Sequence, residues 1–212
     1  MIITYLGHSC FKIQDRTGAE GITLTTDPFD KKVGFRVPNF ESDIVTISHD
    51  HFDHNNAKSL RGEPFVIDMP GEYDRRGVLV HGVVSKHGGG KDDVVNIMFR
   101  IEMDNISIAH LGDLGEVLNE KQLEVLAGVD ILLVPVGGKY TLDAKKAVEV
   151  ISQIEPRIII PMHYKVGASK MDIEGVDGII KELGLTPTEE TRLNIKKKDL
   201  PQEDMELVVM SV

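Results

Sequence analysis

The sequence contains very little cysteine, since Cys10 is the single one among 212 residues. One cysteine cannot form a disulfide within the chain, and it cannot supply a zinc site rich in thiolates. Cys10 lies in a strand-like run beside Phe11 and Ile13, so we expect a small core residue rather than a nucleophile. Any metal ion must therefore be held by imidazole and carboxylate groups.

Long apolar runs are also missing. No run approaches the ~20 residues that are needed to cross a bilayer. The N-terminus lacks the basic start and the long apolar stretch of a signal peptide, and residues 1–8 are instead typical of a first strand. We therefore expect a cytoplasmic protein with no membrane partner. A chain of this length predicts one domain over residues 1–212, with one well-buried core.

Positive charge is in deficit. The chain has 24 Lys and Arg against 34 Asp and Glu, a formal net charge of −10. Nucleic acids bind basic patches and release counterions, so this balance disfavours a nucleic-acid partner. The basic run Lys196-Lys197-Lys198 is followed by acidic residues and predicts a solvated face. The net charge does not exclude a small anionic substrate, because nearby Lys or Arg side chains can bind it.

Strand-like runs fill the first half of the chain, and helical patterns follow Asp113. The strands are predicted at 2–6, 10–14, 22–26, 43–47, 78–84, 94–102, 106–110, 131–136, 157–162, near 193–197 and near 206–210. Helices are predicted at 118–126, 142–154 and 173–183, with Thr141 as the N-cap of the second. This mixture, with helices concentrated late, indicates a layered α/β domain.

Five ligand-type residues occur in the six positions from His49 to His54, directly after a strand-like run. His49 and His51 lie two apart, so they share one side of an extended segment. Asp53 and His54 are adjacent and diverge, which suits two metal ions rather than one. A polar surface loop is the plain alternative, but four fixed ligand types after a buried strand favour metal binding.

This H-x-H-x-D-H motif resembles that of the metallo-β-lactamase superfamily. Six further stretches resemble the pattern of its small, mostly uncharacterised metal-dependent hydrolases, in the expected order: residues 5–11, 26–29, 70–73, 110–115, 135–141 and 161–164. The histidine cluster is specific to the superfamily, and the other stretches are specific only jointly. The resemblance implies a four-layer αββα sandwich.

The resemblance also implies a bridging carboxylate, a last histidine and a third ligand for the first metal. Asp113 follows the strand at 106–110 and matches the bridging residue, and His163 matches the last ligand. His81, His87 and His110 compete for the third position.

We choose His87 as the third ligand, because it ends the strand that begins near residue 78 and precedes the glycines at 88–90, a loop where ligands commonly sit. The family commonly places an acidic residue just after this histidine, whereas this chain has Gly88. This departure concerns the residues that support the ligand, rather than the ligand itself.

The predicted centre holds two divalent ions, expected to be zinc, with manganese or iron as alternatives. His49, His51 and His87 bind one ion, Asp53, His54 and His163 bind the other, and Asp113 bridges them. A hydroxide shared by the two ions would be the nucleophile, because metal coordination lowers the pKa of water towards ~7. Asp53 is the predicted catalytic residue, which orients that hydroxide and takes its proton.

Weaker predictions concern residues that support the centre or contact the substrate. Asp27, at a strand end, is expected to tie the metal loop in place, although a turn before Pro28 explains it equally well. The remaining candidates are His8, Glu72, His110, Lys139, Tyr140 and Thr141.

The substrate class is narrowed by the same residues. A true β-lactamase is disfavoured, because the cluster ends in His54 and the bridging position is Asp113 rather than cysteine. A small-molecule ester, lactone or phosphoester remains, and the pattern is similar to sugar-phosphate lactonases. The alternatives are a non-catalytic metal-binding or sensor protein of the same fold, or a nuclease of the superfamily. Substrate identity and oligomeric state are not set by the sequence.

Overall fold

Two β-sheets form the centre of the computed structural model, which describes residues 1–15, 21–88 and 94–212. The first sheet has the order β13-β1-β2-β3-β4-β5, with β1 at Ile2–Gly7, β2 at Cys10–Gln14, β3 at Thr23–Thr26, β4 at Ile44–Thr46, β5 at Phe65–Ile67 and β13 at Leu193–Asn194.

The second sheet has eight strands, in the order β12-β14-β11-β10-β9-β8-β7-β6. Their bounds are Gly71–Arg75 for β6, Val78–Lys86 for β7, Val95–Met103 for β8, Ile106–His110 for β9, Ile131–Pro135 for β10, Ile158–Met162 for β11, Thr188–Glu190 for β12 and Glu206–Met210 for β14. The helices are α1 at Glu120–Leu126, α2 at Ala144–Ile154 and α3 at Asp177–Leu183, with 3-10 turns at Lys31–Val33, Ala57–Ser59 and Lys197–Asp199.

Successive side chains of each strand point to opposite faces of the sheet and so contribute to two separate apolar cores. On β10, Ile131 and Leu133 belong to the core between the sheets, whereas Leu132 and Val134 pack in the cluster that includes the helices. Side chains of successive strand residues point to opposite faces, so a continuous apolar run serves both cores. The α/β sandwich predicted from the sequence is confirmed.

The outer face of the first sheet is covered by irregular segments and 3-10 turns. Val45 and Ile47 pack there with Leu60 from the segment that follows β4, and Cys10 packs with Phe29. Cys10 is fully buried, and burial raises the pKa of its thiol. It is a protonated core residue, as expected.

The direction of the strands places six strand ends at two facing edges. β1 and β3 both run antiparallel to β2, and β4 is parallel to β3. In the second sheet β7 and β9 both run antiparallel to β8, and β9, β10 and β11 are parallel. The carboxyl ends of β1, β3 and β4 therefore share one edge, and those of β7, β9 and β11 share another.

Several local predictions are wrong. Thr141 is not the N-cap of α2, because Asp143 accepts the Lys146 backbone N–H and the helix begins at Ala144. The third helix begins at Asp177 rather than at residue 173. The strand expected to reach Lys197 ends at Asn194. The short strands β5, β6 and β12 were not predicted, because each is too short or too polar to show clear alternation. No helix in the described ranges is long and apolar enough to span a bilayer.

Candidate metal centre

The ligand-type side chains meet where strands of the two sheets end. His49–His54 follow β4, and His87, Asp113 and His163 follow β7, β9 and β11. Among the described residues, ligand-type side chains form three groups, and within each group the donor atoms all lie within 4.8 Å of one another. The groups are His49, His51 and His87; His8, Asp53, His54 and His163; and His49, His54 and Asp113. All seven predicted ligands are thus brought together.

Asp113 lies between the groups. Its Oδ2 is 3.8 Å from His49 Nε2, 3.3 Å from His87 Nε2 and 3.2 Å from His163 Nε2. Its Oδ1 is 3.4 Å from His54 Nε2. One carboxylate therefore faces imidazoles from both halves of the cluster, which is the arrangement that a bridging ligand requires.

The donor set fits divalent metal ions. His54 Nε2, His87 Nε2 and Asp113 Oδ1 are buried and make no hydrogen bond of normal geometry, although buried polar atoms ordinarily find partners. Metal–nitrogen bonds of ~2.0–2.1 Å place the ligands of a tetrahedral ion ~3.3 Å apart, close to the separations around Asp113. Imidazole with carboxylate suits zinc, manganese or iron.

Asp27 and Ser48 orient two of these histidines. Asp27 is fully buried, and its Oδ2 accepts hydrogen bonds from His54 Nδ1 at 2.8 Å and from Ser48 Oγ at 2.6 Å. Ser48 Oγ in turn lies 2.9 Å from His49 Nδ1. With Nδ1 engaged on each ring, Nε2 is the atom left to face Asp113. Ser48 was not predicted, although its position beside His49 at a buried strand end was a usable signal.

Asn96, also unpredicted, positions Asp113 from inside the second sheet. It is fully buried, and its Oδ1 accepts the Asp113 backbone N–H at 2.9 Å. Its Nδ2 donates to Ser85 Oγ and to the Leu111 carbonyl. The one signal in the sequence is a buried amide side chain directly before the apolar run Ile97-Met98-Phe99 of β8.

Of the three histidines that competed for the third position, His87 is the one in the cluster. His81 lies along β7 and faces Glu72 at 4.0 Å. His110 is buried behind the centre, where its Nε2 donates to the Ser9 carbonyl at 2.9 Å and its Nδ1 accepts the Gly112 N–H. Both ring nitrogens of His110 are engaged, as a supporting residue requires.

The glycine that follows His87 is explained by close packing. A Cβ at Gly88 would lie 2.5 Å from the Tyr140 carbonyl oxygen and 3.0 Å from Gly115 Cα, so no acidic side chain fits. The His87 Nδ1–H donates instead to the Gly88 carbonyl at 2.5 Å. A backbone oxygen thus holds the ring. Residues 89 and 90, also expected in this loop, lie outside the described residues.

His8 holds the Asp53 carboxylate. His8 Nε2 lies 3.0 Å from Asp53 Oδ2, and the His8 carbonyl accepts the His163 backbone N–H at 2.8 Å. His8, Asp27 and His163 have φ of 58°, 37° and 52°, a left-handed conformation that is uncommon for residues other than glycine. Such strain clusters at functional sites.

Burial and the neighbouring charges set the protonation of the cluster. Burial, reinforced by His54, lowers the pKa of His49 to about 3, and burial with His163 lowers the pKa of His8 to about 4. Burial opposes it, but His163 and His54 hold the pKa of Asp113 well below its ordinary value. Neutral His49 and ionised Asp113 are in the protonation states that bind metals.

Of the weaker candidates Glu72, Lys139, Tyr140 and Thr141, only Tyr140 is found in the cavity lining. Tyr140 lines the cavity above the centre, whereas Glu72 is highly exposed beside His81 and lies away from that cavity, which contradicts its predicted place in the pocket. The Lys139 ammonium pairs with Asp172. The Thr141 hydroxyl donates to the Gly138 carbonyl within the turn, so the turn accounts for it.

A cavity of about 440 Å³ opens onto the centre. Besides ligand-type residues it is lined by Phe52, Tyr140, Lys170, Met171 and Asp172. Three of these belong to the segment after β11, which was not predicted to reach the site. Nothing in its local pattern indicates this, because its position depends on packing against distant residues.

Comparison with known proteins gives a match over most of the chain. The model of the Beta-lactamase superfamily domain matches residues 2–163, a range that contains every residue of the cluster.

Curated relatives and a solved structure agree with that match. A UPF0173 metal-dependent hydrolase from Staphylothermus marinus is 32% identical over 197 residues, which are 77% of this chain and 83% of the relative. One from Methanoregula boonei is 27% identical over 77% of this chain and 82% of its own. A Thermotoga maritima crystal structure, assigned to the Zn-dependent hydrolases of the metallo-β-lactamase superfamily, is 38% identical, with a TM-score of 0.80 over 99% of this chain and 97% of that one.

Proposed function

Because this chain belongs to the metallo-β-lactamase superfamily and is a metal-dependent hydrolase, we propose that it uses two metal ions, most simply zinc, to hydrolyse a small-molecule ester, lactone or phosphoester. The observation that carries the proposal is the position of Asp113, whose carboxylate lies within 4 Å of His49 and His87, assigned to one ion, and of His54 and His163, assigned to the other.

The proposed ligands divide between two ions. His49, His51 and His87 hold the first, and Asp53, His54 and His163 hold the second, with Asp113 shared. The grouping of donor atoms supports this division, since the three histidines of the first set form one group and the second set falls within another. When bound, the ions supply Lewis-acid polarisation of the scissile group and a water molecule of lowered pKa.

Asp53 is the proposed catalytic carboxylate. Burial raises its pKa, but the hydrogen bond with His8 and the nearby His54 lower it below the ordinary value. An ionised Asp53 can accept a hydrogen bond from the attacking water and then its proton. His8 fixes the direction in which this carboxylate points, because its Nε2 contacts Oδ2 at 3.0 Å.

The cavity supports a small substrate. Its volume of about 440 Å³ lies within the ~300–1,000 Å³ range of small-molecule sites. The formal net charge of −10 disfavours a nuclease, since nucleic-acid binding gains its affinity from neutralised phosphates.

Metal analysis tests the dinuclear centre. We expect two zinc ions per native chain, measured by plasma mass spectrometry after dialysis, and fewer in His49→Ala and Asp113→Ala. Asp204→Asn, at an exposed position far along the chain, is the control and should retain both ions. Unchanged metal content in Asp113→Ala would overturn the bridging assignment.

A panel of lactones, phosphodiesters, carboxylic esters and β-lactams tests the chemistry. We expect turnover of at least one of the first three classes by zinc- or manganese-loaded protein, and loss of that turnover in Asp53→Ala. A protein that binds two metals but hydrolyses nothing in the panel would favour a non-catalytic sensor.

A further inference from the structure

Lys170 lines the wall of the metal cavity without an acidic partner among the described residues. It makes no ion pair there, in contrast to Lys139, whose ammonium pairs with Asp172 at the same cavity. An exposed lysine without an acidic partner in the described structure, at the wall of this cavity, is notable in a chain with ten more acidic than basic residues.

The backbone of Lys170 is held in place. Its N–H donates to the Val33 carbonyl at 2.8 Å. Gly34, with φ of 109°, packs so closely that a Cβ there would lie 2.3 Å from the Ala168 carbonyl oxygen and 2.9 Å from Lys170 N. The side chain of Lys170, which is exposed, therefore starts from a fixed backbone position beside the cavity.

The base of the segment that carries Lys170 is also fixed. The Lys165 N–H donates to the Glu174 carbonyl at 2.7 Å, and the Glu174 N–H donates to the Gly137 carbonyl at 2.9 Å. These bonds join the segment to the chain that follows β10. Preorganisation of this kind reduces the entropy lost when a ligand is bound.

The other wall groups complete an amphipathic surface. Phe52 and Met171 are apolar, and the Tyr140 phenol has no hydrogen-bond partner within the described ranges. Asp172 is neutralised by Lys139. Away from the metal cluster, the described residues of the cavity wall thus offer the positive charge of Lys170 and the hydroxyl of Tyr140 beside apolar side chains.

We propose that Lys170, aided by Tyr140, binds a carboxylate that the substrate carries in addition to its scissile bond. The proposal rests on the proposed hydrolase function and narrows its substrate to an anionic ester or lactone. A single ammonium and one hydroxyl match the one charge and two oxygens of a carboxylate. A dianionic phosphate would leave one charge unmatched.

Two esters with the same leaving group test the proposal. 4-Nitrophenyl hydrogen succinate and 4-nitrophenyl butyrate have acyl chains of equal length, and only the first carries a carboxylate. We expect the zinc-loaded protein to prefer the succinate by about tenfold in kcat/KM, the worth of one charge-assisted hydrogen bond. Lys170→Met should remove the preference by lowering kcat/KM for the succinate far more than kcat/KM for the butyrate, with the same metal content, and Lys170→Arg should retain most of the preference.

Lys31→Met is the matched control. Lys31 is exposed in the 3-10 turn beside Val33 and does not line the cavity, so the same loss of charge should leave the preference intact. Equal loss in Lys31→Met and Lys170→Met would overturn a specific contact. Faster turnover of a phosphorylated ester than of the succinate would overturn the choice of carboxylate.

Calorimetric binding of monomethyl succinate to zinc-loaded protein separates this proposal from the hydrolase function. Binding that weakens about tenfold in Lys170→Met, without hydrolysis of any ester, would support the carboxylate site and overturn the hydrolase. If native protein and Lys170→Met hydrolyse both esters at equal rates, the hydrolase function is supported and the carboxylate site is overturned.

Discussion

The Asp27 carboxylate accepts a 2.8 Å hydrogen bond from His54 Nδ1 and thereby directs His54 Nε2 towards Asp113. The same oxygen accepts from Ser48 Oγ, which contacts His49 Nδ1. One buried carboxylate therefore orients imidazoles that we assign to different metal ions. Replacing Asp27 should therefore lower metal affinity more than replacing a residue that contacts only one ligand.

Replacing this carboxylate should weaken metal binding. In Asp27→Asn one oxygen and the shape remain, but the charge that favours the Nδ1–H tautomer of His54 is lost. We expect zinc affinity to fall by about 10–100-fold, measured by competition with a chromogenic chelator. Asp74→Asn, at an exposed position on β6, should bind zinc like the native protein. Native affinity in Asp27→Asn would contradict the orienting role.

Gly88 should tolerate no side chain. In Gly88→Ala the added Cβ would lie 2.5 Å from the Tyr140 carbonyl oxygen, so the backbone must shift on one side. We expect the free energy of unfolding to fall by ~1–3 kcal/mol, measured by urea denaturation. A shift of Tyr140 would also lower the preference for an anionic ester in this variant.

Gly178→Ala serves as the comparison for Gly88→Ala. Gly178 lies in α3, and its Cβ would make an ordinary 3.4 Å contact with Ala144 Cβ. Alanine favours a helix by up to ~1 kcal/mol over glycine, so this variant should be as stable as the native protein or more so. Equal stability of the two variants would show that the packing at Gly88 is loose.

The sequence predicts those parts of the site that depend on local pattern. The cluster from His49 to His54 follows a buried strand, and Asp113 and His163 follow two others, so each is found from the strand before it. Parallel strand ends share an edge, which brings these residues together once the sheets form. His87 was one of three histidines that competed for the third position, and only the pairing of β7 with β8, and of β8 with β9, separates them.

Other parts of the site depend on contacts that are distant in sequence. Asn96 reaches Asp113 only because β8 and β9 pair, and Lys170 reaches the cavity only because Val33 and Gly34 hold its backbone. Neither contact leaves a periodic signal. Glu72 was a candidate through the family-like stretch at residues 70–73, but Gly71–Arg75 forms an edge strand of the second sheet, and Glu72 does not line the cavity.

Asp130 should make stability depend on acid pH, far from the proposed metal ligands. It is buried, and it accepts hydrogen bonds from Lys197 Nζ at 2.7 Å and from the Ser107 N–H at 2.9 Å. Burial raises its pKa, but these donors lower it below the ordinary value. The unfolded chain then binds the proton more tightly, so the stabilisation is complete above the unfolded pKa of ~3.9 and is lost as pH falls through the folded pKa.

Asp130→Asn removes that dependence. We expect it to unfold with ~1–3 kcal/mol less free energy at neutral pH, and to lose less further stability than the native protein between about pH 4 and the lowered folded pKa. Urea denaturation across this range gives both quantities. Asp204→Asn, exposed and without hydrogen bonds in the described structure, should follow the native curve. Parallel curves for Asp130→Asn and native protein would contradict the assignment.

Metal removal should destabilise the native protein, because the cluster gathers buried imidazoles and carboxylates that lack hydrogen-bond partners, among them His54 Nε2 and Asp113 Oδ1. Ions that bind only the folded chain stabilise it by ~2.7 kcal/mol at a free concentration 100 times the dissociation constant. We therefore expect a chelator to lower the melting temperature in calorimetry, and added zinc to restore it. Asp113→Ala, which lacks the proposed bridge, should melt at a temperature that responds far less to chelator or zinc. If the native protein and Asp113→Ala respond equally, the stabilising ions bind elsewhere.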